Sequence, residues 1–345
     1  MSLRTTYNTI QIIAIREEAN GVKTFFLKPQ LPYLAGQFLT FVIHHHGKEE
    51  RRSFSISSAS ILNEELSITV KRVDNGVYSR LLIDKAKIGD ELITTGAAGL
   101  FTLPANIENY KQVFFFAAGI GITPIYSLLK TILYTSVHTH IVLVYSNRNR
   151  NETVFYNELI ELAEKFKNRF IVEFLISSDF DLSKARLNKE LLPELVKQYA
   201  VGNAADNLFY TCGPYSYMRM VVLALEEMGI AADSIRKENF NTELKPIIKA
   251  IPPDIASHKV VLRSQEKEYK FISQYPDTIL QAARKNGINL PYSCETGRCG
   301  SCAVRCTNGK VWMSNNEVLT DADIANGNIL TCVGYPIQGD IIILL

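Results

Sequence analysis

The chain has 345 residues, enough for about two or three domains. With 47% hydrophobic and 21% charged residues it has the composition of a globular protein, not of a disordered or fibrous one. A formal net charge of +2 gives no basic field to hold nucleic acid or an anionic membrane as the main partner.

Met1–Tyr7 has no basic region followed by an apolar core, so no secretory signal is expected there. Residues 1–105 then read as a closed antiparallel β-barrel. The runs Tyr7–Ala14, Thr24–Leu27, Phe38–Ile43, Arg52–Ile56, Leu66–Val73 and Glu91–Thr94 are short, β-branched or aromatic, and separated by Gly, Asn and Asp. Two motifs sit in this region. Arg52-Ser-Phe-Ser55 is either an ordinary barrel strand or a flavin strand. In the second case Arg52 pairs with pyrophosphate, Phe54 stacks on the isoalloxazine and Ser55 hydrogen-bonds near N5. Gly76-Val77-Tyr78-Ser79 opens a helical run, Arg80–Asp84, and a glycine turn at a helix start offers free N–H groups to a phosphate. The strand between them, with Val70 and Lys71, is expected beneath the flavin ring. The pyrophosphate-type turn favours FAD over FMN.

Residues 106–243 change period. Strands are expected at Val113–Ala117, His140–Tyr145, Phe170–Ile176, Asn207–Thr211 and Ser234–Asn239. Helices are expected at Pro124–Leu133, Thr153–Phe166, Lys189–Gln198 and Tyr215–Met228. This alternation predicts an α/β domain with a parallel sheet covered on both faces. Val113–Leu129, the most apolar stretch, is interrupted by Gly119, Gly121 and Pro124 and is short for a bilayer, so it reads as a buried strand entering a helix. No membrane association is expected, and the cytoplasm is the expected compartment. Gly119-Ile-Gly121-Ile-Thr123-Pro124 follows the first strand and opens a helix, the context of a dinucleotide loop, although the third glycine of the usual fingerprint is absent. Thr211-Cys212-Gly213-Pro214 repeats the strand-to-helix turn. Cys212 either touches a nicotinamide there, with Thr123 on its other side, or is a small residue tolerated for close packing. The second strand runs into Ser146-Asn-Arg148-Asn-Arg150 with no acid before Glu152. A hydroxyl and guanidinium groups suit the extra phosphate of NADPH, while NADH remains possible; alternatively both arginines are solvated surface charges.

Residues 244–256, with Pro246, Pro252 and Pro253, read as a linker. Residues 257–345 open with a hairpin, His258–Arg263 and Glu268–Ser273, continue with a helix, Asp277–Asn286, and end on the apolar strand Asp340–Leu345. Five of the six cysteines fall in the last 52 residues. Cys294-x4-Cys299-x2-Cys302 with the distant Cys332 has the spacing of plant-type [2Fe–2S] ligation. A structural zinc site is the alternative, but those sites use paired C-x2-C knuckles. Gly297 and Gly300 would let the backbone aim N–H groups at sulfur, and Ser293 and Ser301 could add hydroxyls. Cys306 lies outside the pattern and is expected to be a small buried hydrophobe.

Residues 8–243 resemble the ferredoxin–NADP reductase superfamily through Arg52–Ser55, Gly76–Ser79, Gly119–Pro124, Cys212–Pro214 and Glu238-Asn-Phe240. Residues 257–345 resemble plant-type ferredoxins through Leu290–Cys302 and Leu330–Pro336, but with nine Lys/Arg against eight Asp/Glu this segment lacks the strong acidity of many free ferredoxins. The whole chain is similar to reductase components of multicomponent oxygenases. The resemblance implies an FAD barrel, an NAD(P) domain and a β-grasp ferredoxin domain, with electrons passing from NADPH to FAD to [2Fe–2S] and on to a protein acceptor, an oxygenase component. It also implies Ser55, Thr123 and Cys212 at the reacting centre, and Ser146, Arg148, Gly213, Pro214 and Phe240 along the nucleotide. Tyr is commoner in the family at the position of Phe54, which costs one hydrogen bond. A general diaphorase, or a sensor that holds a cluster without turnover, are the other readings; cytochrome c reduction separates the sensor from the enzymes.

Overall fold

The computed structural model describes residues 7–45, 48–178, 185–203, 206–240, 250–264 and 267–345. The chain divides into two compact units, one within Asn8–Asn241 and one within Thr242–Leu345.

The first unit begins with six antiparallel strands: β1 (Asn8–Ala19), β2 (Val22–Lys28), β3 (Phe38–His45), β4 (Lys48–Ser55), β5 (Ser67–Lys71) and β6 (Glu91–Ala98). Their order is β4-β3-β6-β1-β2-β5. Strand alternation turns Ile10, Ile12, Phe25, Leu27, Leu39, Phe41 and Val70 into one core. Just past the end of β4, Ile56 bridges Ile68 of β5 and Ser57 N donates to Ser67 O at 2.9 Å, so the barrel closes over a short contact. Helix α1 (Val77–Lys85) plugs this core with Tyr78 and Leu82.

The same unit continues as a parallel sheet of β7 (Gln112–Ala118), β8 (His140–Asn147), β9 (Phe170–Ile176), β10 (Leu208–Cys212) and β11 (Ile235–Glu238), in the order β11-β10-β7-β8-β9. Central β7 is apolar on both sides, as a strand buried on both faces must be. Val113, Phe115 and Ala117 pack under helices α2 (Ile122–Thr135) and α3 (Tyr156–Lys165). Phe114 and Phe116 pack under α4 (Leu191–Tyr199) and α5 (Tyr215–Glu227). Each of these fully buried phenyl rings contributes on the order of 2–3 kcal/mol. Helix α3 starts later than the expected Thr153. Asn149 caps the turn Arg150–Glu152 by accepting from Glu152 N, and Phe155 takes a left-handed conformation (φ 60°), so the helix opens only at Tyr156.

The second unit is a mixed sheet of β12 (His258–Arg263), β13 (Glu268–Ser273), β14 (Ala303–Met313), β15 (Asn328–Leu330) and β16 (Gly334–Leu344), in the order β13-β12-β16-β14-β15. Helix α6 (Ile279–Lys285) covers it, started by a capping box between Thr278 and Gln281. A second box, Thr320 with Asp323, starts α7 (Asp321–Ala325). Most of the expected linker, 244–249, lies outside the described residues. Residues 250–256 form no helix or strand, but Asp254 accepts from Ala256 N and Gln338 N and pairs with His258 at 2.9 Å, which pins that end of the linker to this unit. Among the described residues no helix is long and apolar enough to cross a membrane.

Candidate functional site

In a doubly wound sheet the ligand crevice opens where the strand order reverses. Here that point lies between β7 and β10, whose helices leave toward opposite faces. The two glycine motifs end these two strands. Gly119 (φ 54°) starts the turn Gly119–Gly121 into α2, and a Cβ on it would meet nothing within 4 Å. Gly121 is the opposite case: a Cβ there would lie 2.2 Å from the Cys212 carbonyl oxygen. A Cβ on Gly213 would lie 2.9 Å from the Ala118 Cβ. The turns are pressed together, and only hydrogen fits between them.

The side chains that the sequence marks at this point face inward. Thr123 is 1% exposed and its hydroxyl donates to Ile120 O at 3.0 Å. Pro124 lies buried in the first turn of α2. Cys212 is fully buried, and burial pushes its thiol well above the usual range, so it is held as a neutral thiol. Pro214 is exposed at the start of α5. The Thr211 hydroxyl is buried without a hydrogen-bond partner, a polar atom left over beside the crevice. Ser146 is the penultimate residue of β8; Arg148, just past the strand, is exposed, its carbonyl accepting from Ser178 N at 3.0 Å. Glu152, the first acid of this loop, is tied to Asn149 at 2.7 Å.

The barrel brings Ser55 to the same place. Its hydroxyl donates to Glu238 Oε2 at 3.3 Å, across 183 residues of sequence. Glu238 ends β11 opposite Cys212 in the register. It is 8% exposed, and burial pushes its carboxyl up to about 8, against the Ser55 hydrogen bond that lowers it. The sequence marked Glu238 only as part of the Glu238-Asn-Phe240 segment and gave its carboxyl no task, because the contact with Ser55 is not visible from either segment alone. Phe240, two residues on, is exposed.

Along the barrel, Phe54 is half-buried against Phe41 and Tyr78, with ring centroids 6.1 and 5.7 Å away. Arg52 sits beside Glu50 at 3.3 Å. Val70 is buried in the barrel core and Lys71 is exposed, so this strand offers outward only Lys71 and its backbone. The Gly76 turn has no room for a larger residue: a Cβ would meet the Ser79 hydroxyl at 2.4 Å. That hydroxyl accepts from Val73 N and donates to Gly76 O, which shapes the turn and leaves the first N–H groups of α1, at Val77 and Tyr78, without helical partners. The Val77 side chain is exposed.

In the second unit the four patterned cysteines come as two pairs. Cys294 lies within hydrogen-bond reach of Cys299, and Cys302 of Cys332. The hydrogen bond from Cys299 holds the Cys294 thiol below its usual range. Among the described residues no three His, Cys, Asp or Glu side chains are placed to hold one metal ion. A zinc site needs four ligands around one point, whereas a binuclear cluster needs two per metal, and two pairs fit the latter. The loop backbone turns on Glu295, Gly297 and Gly300, with φ of 54°, 76° and 72°. These turns aim Thr296 and Arg298 N–H groups at Cys294 and the Gly297 N–H at Cys332. Ser301 Oγ lies 3.5 Å from Cys299 Sγ. Cys302 and Cys332 are buried, while Cys294 and Cys299 are partly exposed. Cys306 differs from the expectation: it is only partly buried, on β14, with its sulfur 3.3 Å from Asn308 O, because the strand bulges between these two residues.

Three family models match the chain: an oxidoreductase FAD-binding domain over residues 20–103, an oxidoreductase NAD-binding domain over 115–222 and a 2Fe-2S iron-sulfur cluster binding domain over 262–336. Together with the folds, they define an oxidoreductase with flavin, nicotinamide and [2Fe–2S] domains. The ferredoxin reductase component of 3-ketosteroid-9-alpha-monooxygenase from Rhodococcus rhodochrous is 32% identical over 319 residues, 90% of this chain and 87% of that one. The chain belongs to this family of ferredoxin-reductase-type electron-transfer components of oxygenases. A subunit of 1,2-phenylacetyl-CoA epoxidase from Escherichia coli K12 is 29% identical, covering 98% of both chains. Phthalate dioxygenase reductase, a modular structure for electron transfer from pyridine nucleotides to [2Fe–2S], shares the fold with TM-score 0.59 at 23% identity over 98% of both chains.

Proposed function

We propose that the chain carries electrons from NADPH through FAD to a [2Fe–2S] cluster held by Cys294, Cys299, Cys302 and Cys332, and then to an oxygenase component. The observation that carries this reading is the Ser55–Glu238 contact, which brings the strand of the flavin motif to the crevice between the two nucleotide turns. The proposed limits are 1–105 for the FAD barrel, 106–243 for the nucleotide domain, 244–256 for the linker and 257–345 for the ferredoxin domain. A bound flavin accepts hydride and releases electrons singly, which joins a two-electron donor to a one-electron cluster.

The residues then have defined tasks. Arg52 and the N–H groups of the Gly76 turn hold the pyrophosphate, with Arg52 exchanging Glu50 for it. Phe54 supplies a flat face to the flavin ring, and the backbone at Val70 and Lys71 lies below. The Gly119–Gly121 and Cys212–Pro214 turns admit the nicotinamide between them, and Phe240 covers it. Ser55 and Glu238 hold a proton beside the flavin edge. Below about pH 8 Glu238 keeps that proton; above it, a buried negative charge opposes the charge arriving on the flavin. Flavin reduction should therefore slow as pH rises through about 8, and Glu238→Gln should remove the decline. A decline of the same size in the Gln variant would assign the titration elsewhere.

NADPH is favoured over NADH by Ser146 and Arg148 near the end of β8, where Glu152, the first acid to follow in the chain, is engaged by Asn149. A charge-assisted hydrogen bond to phosphate contributes about 1.5–3 kcal/mol. Arg148→Ala should weaken NADPH use roughly 10- to 100-fold and leave NADH use nearly unchanged. Equal weakening of both, or a wild-type preference for NADH, would contradict the assignment.

For the acceptor, the full-length match to the epoxidase component supports an oxygenase of the phenylacetyl-CoA epoxidase type. The higher identity to the steroid monooxygenase component supports the second reading, a steroid or aromatic hydroxylase. Turnover with purified oxygenase of each type separates them.

A further inference from the structure

Helix α2 is tied to the barrel a short way past the crevice. Its N-terminus is the Gly119–Gly121 turn; one turn further on, its barrel-facing side presents Tyr126, Ser127 and Lys130. The Ser127 hydroxyl, fully buried, donates to Ser58 O at 2.5 Å. Lys130 Nζ, on a side chain only 6% exposed, pairs with Glu64 Oε2 at 2.5 Å. The same carboxylate oxygen accepts from Ala59 N at 2.7 Å. Ser58 is held from the barrel side as well, by Tyr33 OH at 2.8 Å and by Ser67 N at 3.0 Å. Ser58 and Ala59 follow Ser55 by three and four residues. One polar clamp therefore grips both the strand end that carries Ser55 and the helix that carries the nicotinamide turn.

The surroundings are those of a fixed joint. Lys130 Nζ lies 4.2 Å from the Tyr126 ring centroid, and Tyr126 stacks on Phe155 at 4.3 Å and 19°. Phe155 holds its left-handed backbone while 3% exposed. That conformation is strained for a side-chain-bearing residue and persists only where its neighbours fix it. Arg16 of β1 reaches Glu158 of α3 at 3.4 Å, a second ion pair from barrel to nucleotide sheet. A buried ammonium is an inefficient way to gain stability, since a well-packed apolar residue of similar volume does as well or better. What directed hydrogen bonds and an ion pair add is a fixed distance and angle between the pieces they join.

Building on the electron path proposed above, we propose that Lys130 and Ser127 are positioning residues for hydride transfer: through Glu64, Ala59 and Ser58 they set the placement of the nicotinamide turn relative to the flavin strand. Neither residue touches cofactor. A displacement of about 1 Å between reacting groups can cost 10²-fold in rate.

The test uses the full chain loaded with FAD, mixed anaerobically with NADPH and with its 4-deuterated form, following flavin absorbance. In Lys130→Met, the first-order rate at saturating NADPH should fall about 10- to 100-fold while FAD content and the NADPH concentration for half-saturation stay near wild type. The deuterium isotope effect on that rate should rise, because hydride transfer becomes the slow step. Ser127→Ala is the second variant in case Lys130→Met does not fold, and should move rate and isotope effect in the same direction by less. A lowered melting temperature with unchanged rate and isotope effect in the folded variants would overturn the proposal and leave the clamp a purely stabilising contact. Failure of the wild type to reduce flavin with NADPH or NADH would instead overturn the electron path beneath it.

Discussion

Replacing any one of Cys294, Cys299, Cys302 or Cys332 with serine should remove the cluster, with bound iron falling from two per chain toward zero and the visible absorption and EPR signal lost. The expectation follows from the pairing of the thiols. Each metal of a binuclear cluster takes two protein ligands, so one lost thiolate leaves a metal half-held and the loop without its cross-tie. Loss should be most complete at Cys302 and Cys332, the buried pair, because a serine hydroxyl there is a weak ligand with no water to complete the shell. Cys306→Ser should retain full iron, since that sulfur lies against Asn308 O on β14. Zinc without iron in the wild-type protein, or loss of iron from Cys306→Ser, would show that the ligands are misassigned.

Gly121→Ala should cut the rate of flavin reduction by NADPH about 100-fold or more, with FAD content unchanged. The added methyl would lie 2.2 Å from the Cys212 carbonyl oxygen, and backbone, not a flexible side chain, stands in its way. Overpacking of this kind costs about 1–3 kcal/mol in stability, but the larger effect is geometric, because the two turns proposed to receive the nicotinamide must separate. Gly119 provides the control. It has open space around it and needs only a left-handed backbone, which Asn tolerates, so Gly119→Asn should fold with a milder loss. Equal activity of Gly121→Ala and wild type would mean that the closeness of the two turns is irrelevant to nicotinamide use.

Most of the architecture was legible because burial imposes it on the sequence. Val113–Ala117 is apolar throughout and forms the centre of β7, and the helix expected at Asp277–Asn286 forms at Ile279–Lys285, where Thr278 caps it. Strand β14 was not legible. Its Asn308-Gly309 pair normally marks a hairpin turn, yet the strand runs through it on two bulges, with Gly309 (φ 86°) lying against the Asp340 carbonyl where a Cβ would come within 2.5 Å. The cluster-binding domain was legible, since its cysteine pattern lies within nine residues and one later cysteine; that these four are the ligands is the proposal above. The reacting centre was visible only in part. Ser55, the glycine turns and the Glu238-Asn-Phe240 segment carry local motifs, but the Ser55–Glu238 contact and the Lys130–Glu64 clamp arise across 183 and 66 residues, which no local pattern announces. Of the two readings of Cys212, its full burial agrees with the small residue tolerated for close packing, and the burial of Cys212 and Thr123 accompanies the close approach of the two turns.

The central claim, that electrons reach the cluster through the flavin, is tested most directly by anaerobic stopped-flow mixing of the full chain with one equivalent of NADPH, comparing FAD-loaded with FAD-depleted protein. In the loaded protein, flavin absorbance should fall first, followed by bleaching of the cluster's visible absorption and the appearance of the EPR signal of its one-electron-reduced state. In the depleted protein the cluster should stay oxidised over the same time. Cluster reduction at the full rate without FAD, or complete flavin reduction with no electron reaching the cluster, would contradict the path.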